Sequence, residues 1–571
     1  MPKIGWGFRH GKNKEDEMRT KKLIAIVLCL SFIFAIFAPA QASAAQECNC
    51  NETPIIYVRG RCALKTDKDL PSDDVNNPSL PYVSDEYVQE QLPELVKIYA
   101  NCYFLGGKDF TPFRERLTEV FKEVYKDYAL DNNGNVTNNS GPEPSDEWDR
   151  VYVPSVHQSP GPVDTPRKAK DEIYRYFFQY DCRLDPCATA DNLYKYIQRV
   201  KEATGHSTVK IIARCLGTNI LAAYLAEYGW SDIEDVIFYN AIMNGTAVTN
   251  SLFTGELYFD DDAVDFFANQ NLEDTTVLTL IKQIITLANK TYGLGLTMDY
   301  INMTATDVAY FVVPDVMRVS YATTPGYWAM VSADRYFEAR NFIFNSVSVK
   351  NEFAGLIEKL DHYHNTVSVR IPKMLKQMEA DGVNVYFIGK YGYQLYPIMK
   401  DAAHQSDMIV TLTQQVPGTT CAPIGQTLSD TYIQDAEANG FGKYISPDKA
   451  IDASTSMFPD TTWYIKNMEH NCFPHVIDML IYKIMRYEGE KMTVWDNPDY
   501  PQYIIYEGEE NNGDVLIPMT PEEQGQTLSE PGFFEVLFGF FKSLFKTVNE
   551  LLTELQRQIM EKSQAGKTVQ Q

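Results

Sequence analysis

Val209-Lys210-Ile211-Ile212-Ala213-Arg214-Cys215-Leu216-Gly217-Thr218-Asn219-Ile220 is the stretch on which the fold turns. Val209 to Ala213 is a short apolar, β-branched run and reads as a buried strand. Cys215 to Tyr228 is rich in small residues and reads as a helix. Between them, Ala213-Arg214-Cys215-Leu216-Gly217 has the pattern small-x-nucleophile-x-Gly of a sharp strand-to-helix turn. Small residues two before and two after the centre let the backbone fold that tightly, and the central side chain then stands above the sheet edge. The helix N-terminus adds free N–H groups and a positive dipole end. Both lower a thiol's pKa and raise its thiolate fraction. The competing reading of Cys215 is a packed structural cysteine.

The flanking sequence repeats the alternation. Thr53-Pro54-Ile55-Ile56-Tyr57-Val58 reads as a buried strand ending in a tight Arg59-Gly60-Arg61 loop. A helical stretch is expected around Glu86–Tyr128, a loop over Asn132–Ser145 and a strand over Trp148–Val153. Leu193, Tyr196, Ile197 and Val200 recur at helical spacing. Strands follow at Val236–Tyr239 and Val383–Ile388. Strand, helix, strand in this order predicts an α/β protein, a mostly parallel sheet with helices on both faces. Residues 246–365 break the rhythm. They are long, helical and aromatic, with Phe266, Phe267, Tyr310, Phe311, Tyr327 and Trp328, and are expected to form an inserted helical cap over the sheet's C-terminal edge.

With the elbow placed, the chain resembles the α/β-hydrolase superfamily, in its lipase and lecithin:cholesterol acyltransferase-like branch. Pro54-Ile55-Ile56-Tyr57-Val58-Arg59-Gly60 is similar to the strand and HG turn that opens these enzymes. Tyr180-Asp181-Cys182-Arg183-Leu184 looks like their YDWR-type segment, with Cys182 in place of Trp. Ser406-Asp407-Met408-Ile409-Val410 is similar to the SDG-x-V turn that carries the acid. Thr462-Trp463-Tyr464-Ile465-Lys466 followed by Glu469-His470 resembles the strand and loop that carries the base. The match covers roughly residues 52–245 and 365–485. Its specific signal is chain order, nucleophile then acid then histidine.

The resemblance implies roles. Cys215 attacks an acyl carbonyl, His470 manages the proton, and Asp407 orients His470. The N–H groups of Leu216 and Arg61 form the oxyanion hole. Arg59 stands where these enzymes carry His, and is a candidate contact for an anionic substrate group. His475 is the rival base and Asp460 the rival acid. His362 and His364 have an i, i+2 spacing seen in some metal pairs, but no third ligand is evident, so neither metal nor cofactor is expected.

Composition bounds the rest. The chain has 571 residues and is 44% hydrophobic, enough for a large core. Its net charge of -25 repels phosphate backbones and argues against nucleic acid as a partner. Met18-Arg19-Thr20-Lys21-Lys22, the apolar run Leu23–Ala38 and Ala42-Ser43-Ala44 read as a secretory signal within residues 1–44, with Met18 the better initiator. An uncleaved anchor is the alternative. Nine cysteines follow the signal, and an odd number in an exported chain leaves one unpaired. Eight are then free to pair in an oxidising compartment, with Cys215 the free thiol.

The resulting organisation is 1–44 extension and signal, 45–245 first part of the core, 246–365 cap, 366–490 second part of the core, 491–530 acidic linker, and 531–571 amphipathic C-terminal helix. In that helix Phe534, Phe538, Phe541, Phe545, Val548, Leu552, Leu555 and Ile559 alternate four and three apart. Its apolar face suits docking on the body, self-association or peripheral membrane contact. The expected function is cleavage of small hydrophobic acyl esters, lipids included, through a Cys-His-Asp triad. O-acyl transfer and a catalytically silent binding protein on a hydrolase scaffold are the alternatives.

Overall fold

The computed structural model describes residues 52–71, 77–81, 85–104, 109–143, 163–258, 293–396, 399–400, 402–508 and 513–521. The signal at 1–44, the strand at Trp148–Val153, Phe266 and Phe267, and the helix at 531–571 lie outside them. Among the described residues no helix is long and apolar enough to cross a membrane.

Eight strands form the central sheet: β1 (Ile55–Val58), β2 (Tyr176–Phe178), β3 (Val209–Arg214), β4 (Ile233–Tyr239), β5 (Asn384–Tyr391), β6 (Thr462–Lys466), β7 (Tyr503–Glu507) and β8 (Val515–Pro518). Their order is β8-β7-β6-β5-β4-β3-β1-β2. Every neighbouring pair is parallel except β7 with β8. The β-branched and aromatic runs explain the strands, and their two-residue alternation explains the layers. Ile56, Val58, Ile211, Ala213, Val236, Phe238, Val385 and Phe387 enter one apolar core. Ile55, Tyr57, Ile212, Ile237, Tyr386 and Ile388 enter another on the opposite face.

Helices cover both faces, as an α/β fold requires. Helix α1 (Pro166–Ile173) and helix α8 (His475–Met485) pack together over the second core, which holds Ile173, Ile477 and Leu480. Helices α2 (Pro186–Thr204), α3 (Gly217–Tyr228) and α7 (Ile371–Ala380) cover the first. Capping matches the sequence. Asp185 accepts from the Cys187 N–H at the start of α2, Pro186 takes the first turn, and Gly205 closes the helix at φ 72°.

The described part of residues 246–365 is helical, including α4 (Gly293–Arg318), α5 (Tyr336–Ile343) and α6 (Ala354–Thr366). It carries its own apolar cluster, with Phe253, Trp328, Tyr336, Phe344 and Leu356.

The linker expected over 491–530 is corrected. Tyr503–Glu507 and Val515–Pro518 extend the sheet, with Tyr503 and Ile505 in one core and Ile504 in the other. Acidic neighbours had masked a β-branched and aromatic run, Tyr503-Ile504-Ile505-Tyr506, that alternates between two buried faces. The helical stretch expected around Glu86–Tyr128 holds two helices, Asp85–Phe104 and Thr111–Tyr125.

Candidate active site

Cys215 stands at the C-terminal end of β3, next to β1. The chain runs from β1 outward to β2, then returns to β3 on the other side of β1. Such a reversal opens a crevice at the strand ends. Two glycines make the crossing possible. A Cβ on Gly60 would lie 2.9 Å from Cys215 Cβ, and one on Gly217 would lie 2.5 Å from the Val58 carbonyl oxygen. Larger residues would push the Arg59–Arg61 loop or the start of α3 off the end of β1.

The turn itself is strained. Cys215 has φ 49°, a left-handed conformation rare outside glycine. Its N–H donates to the Tyr239 carbonyl of β4 at 3.2 Å, and its carbonyl accepts from the Thr218 N–H at 2.9 Å and hydroxyl at 2.6 Å. These contacts hold the side chain out of the helix. The residue as a whole is half-buried.

His470 Nε2 lies 3.2 Å from Cys215 Sγ, and His470 Nδ1 lies 2.8 Å from Asp407 Oδ2. His470 is 5% exposed and Asp407 0%. Asp407 follows β5 on a turn in which its Oδ1 accepts from the N–H groups of Ile409 at 3.1 Å and Val410 at 2.8 Å. Met408 occupies the left-handed position of that turn, φ 78°. The Asp407 carbonyl also accepts from the His470 N–H at 2.9 Å, so the two loops are tied by backbone as well as side chain.

Electrostatics favours a charged pair. Burial pulls the His470 imidazole down, but Asp407 and Cys215 outweigh it and hold it up at about 9. Burial pushes the Cys215 thiol up, but the His470 charge, its hydrogen bond, Arg214 and the Leu216 N–H bring it below the ordinary thiol range. Both shifts favour a thiolate facing an imidazolium over the neutral pair.

A buried lysine, which no local motif signals, completes the base of the site. Lys390, on β5, is 0% exposed. Its Nζ donates to the carbonyls of Glu469 at 2.9 Å, His470 at 3.3 Å and Cys472 at 2.7 Å. It also lies 4.4 Å from the centre of the Phe473 ring. Burial brings it down to about 7, against the pull of Asp407. Asn240, just past β4, donates its Nδ2 to the same His470 carbonyl at 3.0 Å. Arg214 lays its guanidinium 3.4 Å over the Phe473 ring. Together these side chains fix the loop that carries His470.

The other expected residues fall as follows. Leu216 and Arg61 flank Cys215 in the turn and the facing loop, and among the described residues neither N–H has a backbone acceptor. Arg59 is not brought to the triad. Its guanidinium lies 5.8 Å over Phe177, and among the described residues no contact joins it to Cys215, His470 or Asp407. Tyr57 and Phe177 alternate to the α1 and α8 face, and Arg59 follows Tyr57 there by strand parity. His475 pairs with Asp478 at the start of α8, 3.3 Å away, instead of joining the site. Asp460 accepts from Tyr444 and Trp495 and is likewise elsewhere. His364 stacks on Tyr336 at 4.1 Å, and His362 points to a different neighbour.

The expectation of disulfides is corrected for the described residues: Cys62, Cys102, Cys182, Cys187, Cys215, Cys421 and Cys472 are all free thiols. Burial of most of them explains their presence without pairing.

Comparison of the chain with protein-family models, with curated proteins and with solved structures gave no match.

Proposed function

We propose that this chain is an acyl-ester-cleaving enzyme of the α/β-hydrolase kind that works through a covalent thioester on Cys215. The observation that carries the reading is the unbroken line Cys215 Sγ, His470 and Asp407, at 3.2 and 2.8 Å, on three loops leaving one edge of a parallel sheet. The thiolate attacks the acyl carbonyl carbon, and the N–H groups of Leu216 and Arg61 receive the oxyanion. As the tetrahedral intermediate collapses, His470 gives its Nε2 proton to the leaving alkoxide, which departs as the alcohol. Neutral His470 then takes a proton from water, and hydroxide displaces Cys215 as thiolate, releasing the acid. Asp407 keeps Nδ1 protonated and stabilises the imidazolium throughout.

O-acyl transfer is the second reading, and the cysteine favours it. A thioester is a better acyl donor than an oxygen ester, so an alcohol held in the site competes with water. The aromatic helical segment at 246–365 supports a cap over the site and a small hydrophobic acyl substrate, lipid included. Export through residues 1–44 and membrane contact through 531–571 belong to the same reading.

Purified chain is incubated with p-nitrophenyl acyl esters of graded length beside Cys215→Ala. Turnover in the wild type alone supports the reading. Equal release by both proteins, or by neither, refutes it. Adding a primary alcohol separates the two reactions, because only transfer yields a new ester.

A further inference from the structure

Three helices from two parts of the chain bring metal-ligating side chains together well away from the triad. Cys187 lies in the first turn of α2, Glu227 in the last turn of α3, and His362 near the end of α6. Their ligand atoms, one thiol, one carboxylate and one imidazole nitrogen, all lie within 4.8 Å of one another. His362 Nε2 is 3.4 Å from Glu227 Oε1. Neighbouring donors of a tetrahedral zinc ion stand roughly 3.4–3.6 Å apart, given bonds of about 2.0–2.3 Å. The nitrogen and oxygen are therefore already spaced for it, and the sulfur, within 4.8 Å of both, would close the remaining gap on binding.

A second, independent feature points to a ligand here. Tyr363, adjacent to His362, is 5% exposed, and its hydroxyl has no hydrogen-bond partner among the described residues. That hydroxyl lies in the field of Cys187 and Asp185. A water completing a metal's coordination would supply such a partner. The local charge also suits a cation. Asp185 and Asp191 surround the buried thiol along with Glu227, while Lys359 and His362 face them from α6.

We propose that Cys187, Glu227 and His362 form a binding site for a divalent zinc-class ion, with water in the fourth position. On binding, the Cys187 thiol loses its proton to solvent and its sulfur bonds the metal as thiolate. His362 is neutral and Glu227 ionised, so the bound site carries no net charge. Three unlike donors from three helices give the borderline-soft set that zinc prefers over magnesium or calcium. The site would staple α6, in the segment between β4 and β5, to α2 and α3 on the sheet. His362 and His364 suggested a metal pair by spacing, but the partners of His362 come from residues 187 and 227.

The test uses the full chain, freed of metal with a chelator and titrated with cobalt(II) as the probe. The wild type is expected to bind one equivalent with a near-ultraviolet thiolate-to-cobalt charge-transfer band and intense visible bands of tetrahedral cobalt. Zinc should displace both signals. Cys187→Ser should remove the charge-transfer band. His362→Gln and Glu227→Gln should each weaken binding by about 100-fold, since even outer-shell changes cost 10–100-fold. His362 is half-exposed, so its variant folds even where a change at buried Cys187 does not. No tetrahedral cobalt signal in the wild type overturns the proposal. So does a signal that survives unchanged in His362→Gln, which would place the cobalt on other thiols.

Discussion

Replacing Asp407 by Asn tests the electrostatics of the site at its source. The two backbone donors on Oδ1, Ile409 and Val410, fix which end of the new amide faces which way. The amide oxygen keeps those hydrogen bonds, so its NH2 turns toward His470 Nδ1, now at 2.8 Å. That nitrogen must become an acceptor, and the neutral ring then carries its proton on Nε2, facing the sulfur. Two losses follow. The imidazolium loses its counter-charge; the full rise from the ordinary 6.5 to about 9 is worth about 3.4 kcal/mol, roughly 300-fold in the charged pair, and Asp407 supplies the larger share of it with Cys215 the rest. The wrong tautomer deepens the loss toward the ~10⁴-fold that the same replacement produces in serine triads. Two assays read this: kcat/KM with a p-nitrophenyl ester, and the rate of Cys215 alkylation by iodoacetamide against pH. In Asp407→Asn both should fall, and the alkylation midpoint should move toward the ordinary thiol value. An unchanged alkylation profile with activity within tenfold of wild type would refute the argument.

Other expectations follow from single features. Gly60→Ala places a methyl 2.9 Å from Cys215 Cβ, where neither neighbour can swing away. The displaced Arg59–Arg61 loop should cost about 100-fold in kcat, with little change in Tm, because misplacement near 1 Å has that effect. Wild-type activity in that variant would remove Arg61 from the oxyanion hole. Lys390, held at about 7 against its ordinary 10.5, binds fewer protons folded than unfolded between those values. Its contribution to stability therefore improves as pH rises from about 7 toward 10.5, and Lys390→Met should lose that gain; urea midpoints of the two proteins at several pH values check the difference. Activity should fall on the alkaline side as His470 deprotonates near 9, and on the acid side as the thiolate is protonated below the ordinary thiol range. A profile still rising above pH 10 contradicts the assignment of the base. Exposed Lys449 sits at φ 58°, so Lys449→Gly should raise stability by up to about 1 kcal/mol in chemical denaturation.

Much of the frame could be read from the chain because its signals are local. Strand β3, the elbow and α3 are contiguous, and the apolar run, the small residues and the helix follow within twenty residues. Order along the chain singles out Asp407 and His470, and the fold brings both to Cys215 in one hydrogen-bonded line. What escaped the sequence depends on distant partners. Lys390 looks like a stray charge at the end of a strand, and its three acceptors lie some eighty residues onward. Cys187, Glu227 and His362 have no shared spacing, because α2, α3 and α6 meet only once the sheet is built. For Arg59 the residue type points to an anion, and the fold lays its guanidinium over Phe177 rather than against the Cys215, His470 and Asp407 side chains. Strand β7 was hidden by composition, since Glu507, Glu509 and Glu510 outweigh the four apolar residues before them.

The central claim is that Cys215 carries the acyl group, and it can be seen directly. The chain is mixed with a p-nitrophenyl ester, quenched in acid within the first turnover, and digested for mass spectrometry. The account predicts the acyl mass on the peptide bearing Cys215, its removal by neutral hydroxylamine, and its absence in Cys215→Ala and His470→Ala. Ester cleavage with no acyl mass on Cys215, or an acyl mass that forms equally without His470, contradicts it.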